Sequence, residues 1–191
     1  PNTMIRIITS LIFSLIVAYS VAQNTAVNFG TNTSLKYQQT TPTEKTISVL
    51  YNKSSEMATP KATFMGSGQC FTITPTAEAY ENSLNLMLNI DQVITENDNL
   101  FWLSKARFNE ITVGKTMFYI NGPQHMFGLV TQGKEPIQFK VNGTMITTEA
   151  YHLKSVGNGP LLELWVLNNV KNPVVVKASG SINLHLSEIT Y

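Results

Sequence analysis

Few side chains in this sequence can do acid–base, nucleophilic or metal chemistry: three histidines (His125, His152, His185), one cysteine (Cys70) and 12 carboxylates. A zinc site needs ligands at short spacing, i,i+2 on a strand or i,i+4 on a helix, and no two of these histidines have it. His185 alternates with Leu184 and Leu186 and is expected to face solvent. Cys70 with His152 or His185 would pair a nucleophile with a base. It lies between Gln69 and Phe71 in a strand-like run, where a lone cysteine is ordinarily buried or inert. Gly66-Ser67-Gly68 joins two strand-like runs and lacks the strand-to-helix elbow of a serine hydrolase. Glu149, Glu163 and Glu188 all fall on C-terminal strands and could meet in space as a glycosidase pair. Glu163 alternates with Leu162 and Leu164, which reads as the wet face of a sheet. Glu96–Asn99 offers oxygen ligands but lacks the spaced acids and glycine of a calcium loop, and reads as a solvated turn. No catalytic residue, metal ligand or cofactor is assigned.

Aromatic residues carry the better binding hypothesis. Phe101, Trp102, Phe108, Phe118, Tyr119 and Phe127 crowd the middle third. If several share one concave surface, they can hold an apolar or amphipathic ligand or stack on sugar rings. Trp102, Phe118 and Phe127 are the expected contacts. The competing reading is that these rings simply fill the core.

These residues must be positioned by a chain of 191 residues, 13% of them charged, about half the usual quarter. Asn and Thr fill the gap, giving a neutral, hydrogen-bonding surface. No basic block exists, so nucleic acid is not an expected partner. From Met4 the sequence shows an early cation (Arg6), an apolar run from Ile7 to Val17, and Ser20-Val21-Ala22 before Gln23. Those features predict a secretory signal peptide cut after Ala22, giving a periplasmic or secreted protein. The run is shorter than the roughly 20 residues that span a bilayer, so no membrane span is expected after cleavage. A single cysteine forms no internal disulfide, and the fold must rest on packing.

The remaining chain divides into a polar arm or irregular first strand (23–45) and one β domain (46–191). Ile47, Val49 and Tyr51 alternate with polar residues, and so do Leu84, Leu86, Leu88 and Ile90. Asn142-Gly143 is a two-residue hairpin signal, because both central residues of a type I′ turn need positive φ. The stretch from Ile94 to Ile111 reads as a long loop or the only helical turn. The expected fold is all-β: a strongly curved antiparallel sheet, open-barrel-like or a sandwich, with at most one short helix.

The C-terminal part, from Tyr151, has Glu163, Trp165 and Leu167 on one strand, then Asn172-Pro173 opening the next, then the Leu184/Leu186 pair. It resembles a family of uncharacterised exported bacterial β-proteins. The resemblance implies a curved antiparallel sheet and no particular activity. Trp165 shares Glu163's parity, so that face is either not simply wet or interrupted by a bulge. Taken together, the residues predict a non-catalytic cell-envelope binding or accessory protein; a ligand, if it has one, is expected to be an apolar or amphipathic, lipid-like small molecule on the concave sheet face. The alternative is an interaction protein that recruits an envelope protein through its sheet edges. An envelope hydrolase ranks third.

Overall fold

The computed structural model describes residues 27, 29, 31–42, 44–52, 61–66, 69–90, 94–124 and 126–191. The expected signal peptide, Ser67 and His125 lie outside them. Twelve strands are present: β1 Thr33–Thr41, β2 Lys45–Asn52, β3 Lys61–Gly66, β4 Gln69–Ile73, β5 Asn85–Met87, β6 Asn99–Leu100, β7 Lys115–Ile120, β8 Met126–Val141, β9 Thr144–Ser155, β10 Leu162–Leu167, β11 Val175–Gly180 and β12 Asn183–Thr190. Two short helices, α1 Ala77–Asn82 and α2 Lys105–Thr112, interrupt them.

The strands form one sheet in the order β4-β3-β2-β1-β12-β11-β10-β9-β8-β7-β5-β6. Most pairs are antiparallel; β5–β6, β5–β7 and β12–β8 are parallel. The β12–β8 contact bends the sheet into a ring of β8 to β12. It is brief, Glu188 opposite Lys140 and Ile189 opposite Val141, so the ring closes at one end only. Alternation explains the interior: Leu153, Leu164, Ala178 and Leu184 are cross-strand neighbours and all buried. Asn142 and Gly143 join β8 to β9 with φ of 49° and 80°, the conformation their types favour. Within the segment read as an arm or irregular strand, Thr33–Thr41 forms β1 between β2 and β12, with two register irregularities against β12.

Two expectations need correction. The described residues hold two short helices rather than at most one. Six-residue α1 is too short to show a helical period; the Thr76 hydroxyl caps it by accepting from Ala79 N, and it buries Ala79 and Tyr80. The alternation from Leu84 to Ile90 does not describe a half-buried strand either. Only Asn85–Met87 is strand; Leu84 is exposed, while adjacent Leu86, Met87 and Leu88 are all buried. A short strand covered on both faces has no wet side to alternate with.

Candidate functional site

The sheet register places a polar row on the outer face of the ring. Trp165 on β10 lies between His152 on β9 and Lys177 on β11, and Lys177 is opposite His185 on β12. The His152 ring stacks on Trp165 at 4.3 Å between centroids and 6° between planes. Lys177 Nζ sits 4.1 Å from the Trp165 ring centroid. The indole is thereby covered on a face that is otherwise wet, and β11 shifts register beside it, between Trp165 and Val166.

Two carboxylates close the cluster. His152 Nδ1 is 2.7 Å from Glu135 Oε1, and Nε2 is 2.8 Å from Glu163 Oε2. Trp165 Nε1 donates to Glu135 Oε2 at 2.8 Å, and Lys154 Nζ is 3.2 Å from Glu163 Oε1. The indole donor, followed by His152, holds the Glu135 carboxyl below its ordinary range, with Lys177 adding to the effect. Hydrogen bonds from His152 and then Lys154 do the same for Glu163. Carboxylates only accept, so both imidazole contacts are hydrogen bonds when the ring carries two N–H groups or one carboxyl keeps a proton.

This geometry ties β8, β9, β10 and β11 together. A general base needs a nitrogen lone pair facing a substrate, and both ring nitrogens already face carboxylates. A glycosidase pair needs open space between its two carboxyls, and here the imidazole fills it. Each of the four carboxyl oxygens already faces a nitrogen of the cluster.

The other candidates do not assemble. Glu149 is on the opposite face of β9 from His152, beside Lys134 and Asn168, and Glu188 is at the ring closure. Cys70 is exposed on the edge strand β4, with six strands between it and His152 in the sheet order. His185 is exposed. Asp98 spends its carboxylate locally, accepting from Thr95 N, Thr95 Oγ1 and Asn85 Nδ2. Among the described residues no group of three His, Cys, Asp or Glu is arranged to hold a metal ion, and no helix is long and apolar enough to cross a membrane.

A concave feature lies elsewhere. β8, β10 and β12 begin, and β9 and β11 end, at the same end of the ring, opposite to the end that β12–β8 pairing closes. There a cleft of about 270 Å³ opens between Phe127, at the start of β8, and Ser181 and Ile182, just before β12. Ile120, Pro42 and Pro160 add to its apolar lining. Asn89 and Asn121 supply the polar rim together with Ser181. None of these lining side chains is ionisable.

Of the three expected contacts, Phe127 lines this cleft. Trp102 and Phe118 instead flank a small void near Ser83 and Arg107, too small to admit water. Trp102 packs edge-on against Tyr51 at 5.7 Å, and both residues are almost fully buried. The cleft's polar residues sit on turns, where Asn, Gly and Ser already have a conformational reason to occur; no spacing in the sequence marks their convergence.

No family model, curated protein or solved structure matches this chain.

Proposed function

We propose that this is a non-catalytic binding protein of the cell envelope, holding a small amphipathic molecule in the cleft at the open end of the ring. The cleft carries the reading: its described lining combines apolar Ile120, Phe127 and Ile182 with the amide and hydroxyl groups of Asn89, Asn121 and Ser181, and none of these side chains is ionisable. Barrel mouths are a common place for such sites, which pair an apolar lining with a few polar groups. At about 270 Å³ the volume suits a molecule of one ring or a short chain, since an enclosed cavity of about 150 Å³ already admits benzene.

Export rests on Arg6, the Ile7–Val17 run and Ser20-Val21-Ala22. Native mass spectrometry of protein purified from its own host tests both points at once. The mature mass should correspond to a start at Gln23, and a small-molecule adduct should survive gentle ionisation. A protein that never carries one under any purification argues against the binding reading. An interaction role has one observation in its favour: among the described residues β4 and β6 stand at the two ends of the sheet order. Partner recruitment through an edge would appear as a co-purifying protein in the same experiment.

A further inference from the structure

We infer that the cleft selects a ligand bearing a carbonyl-type oxygen over one bearing an ammonium group, and that the Asn121 side-chain amide is the group that reads it. This rests on the cleft being a binding site and specifies the chemistry of what it takes.

Asn121 follows β7 with a φ of 54°, and Gly122 continues the turn at 107°. Asparagine tolerates this left-handed conformation better than most residues. The turn brings Asn121 Oδ1 within 2.7 Å of Leu88 N and 3.0 Å of Asn89 N, and it accepts from both. Two backbone donors on one oxygen fix the amide plane and settle which end is which. The reverse orientation would set the NH2 group against two N–H groups. Nδ2 is therefore directed away from the Leu88–Asn89 backbone, and among the described residues it donates to no acceptor.

The rest of the rim agrees in sign. The Ser181 hydroxyl makes no hydrogen bond among the described residues, although its backbone N–H donates to Leu161 O. Asn89 Oδ1, the rim's other amide oxygen, accepts from Lys45 Nζ at 3.2 Å. Asn121 Nδ2 and the Ser181 hydroxyl can thus both donate, so an acceptor on the ligand is matched. An ammonium group would meet no carboxylate among the described lining residues, and desolvating it there is unfavourable.

The test uses cyclopentanone, cyclopentane and cyclopentylammonium, followed by methyl and side-chain amide NMR on the full chain. In the wild type, cyclopentanone should shift the Ile120 and Ile182 methyls together with the Asn121 Nδ2 protons. Cyclopentane should move the methyls only, and cyclopentylammonium should move neither. Asn121→Asp keeps an oxygen for Leu88 N and Asn89 N but replaces the donor with an acceptor. It should weaken cyclopentanone about tenfold and admit cyclopentylammonium. Unchanged ketone affinity in Asn121→Asp, or ketone binding that leaves the Asn121 amide protons unmoved, overturns the inference while leaving the cleft a binding site. Unmoved Ile120 and Ile182 methyls with every probe would remove the binding reading itself. The wild-type amide readout decides the question even if Asn121→Asp does not fold.

Discussion

His152 lies flat on Trp165, 6° from parallel, with Glu135 and Glu163 at its two ring nitrogens. One imidazole thus completes the cover of a buried indole and joins carboxylates from β8 and β10. Its neighbour in the same polar row, His185, is exposed. The contrast separates a histidine that holds strands together from one that is only solvated.

His152→Ala should therefore lower unfolding stability by about 1–3 kcal/mol, because it uncovers Trp165 and leaves two carboxylates facing each other. His185→Ala should stay within about 0.5 kcal/mol of wild type. Urea unfolding of the two variants side by side checks this. Equal midpoints would mean that the cluster contributes nothing.

The same cluster sets an acid dependence. Both glutamates are held below their ordinary range in the folded protein. Their contribution is complete above the unfolded carboxyl value of about 4.3 and is lost as pH falls from there through the lower folded values. Doubly substituted Glu135→Gln/Glu163→Gln should be less stable than wild type at neutral pH. Below about pH 5 that gap should shrink as the solution is acidified. A gap that widened below about pH 5 would contradict the assignment. Urea midpoints across the pH series measure it.

Gly180 ends β11 with a φ of 109°, and a Cβ there would overlap the Leu161 carbonyl. Backbone meets backbone, so neither side can yield cheaply. Gly180→Ala should cost about 2 kcal/mol or more, counting the strained φ and the overlap. Gly143→Ala, where nothing crowds the added atom, should carry only the conformational penalty of about 1 kcal/mol. Thermal unfolding of both variants compares them.

How much of this is legible from residues alone differs between frame and site. The strands from Lys115 onward show in alternation and in Asn142-Gly143, whose types fit only one kind of turn. Glu163 opposite Lys154 follows from parity and pairing across the β9–β10 turn. Glu135 does not, because the irregularity between Thr131 and Gly133 changes the parity of β8 and no residue type announces it. The aromatic run suggested one concave surface, yet Trp102 and Phe118 were needed inside, against Tyr51 and each other's neighbours. The cleft depends on where five ring strands end, a property of sheet closure that local sequence does not encode.

The division of the aromatics is also measurable. Trp102→Ala should cost about 3–5 kcal/mol, as expected for a large ring removed from a filled core. Trp102→Phe, tested for ligand capture, should leave binding at the cleft unchanged, whereas Phe127→Ala should weaken it. Capture that depended on Trp102 and ignored Phe127 would move the site into the core.

The central claim is that the open end of the ring holds a ligand. Ser181 is exposed at the cleft and its backbone, rather than its side chain, holds the turn. Ser181→Trp should therefore fill the cleft without disturbing the sheet. Native mass spectrometry of wild type and Ser181→Trp, both purified from the natural host, is the most direct measurement. The account predicts a small-molecule adduct on the wild type and its loss from the variant, with both folded. An adduct that persists on Ser181→Trp, or is absent from the wild type, would contradict it.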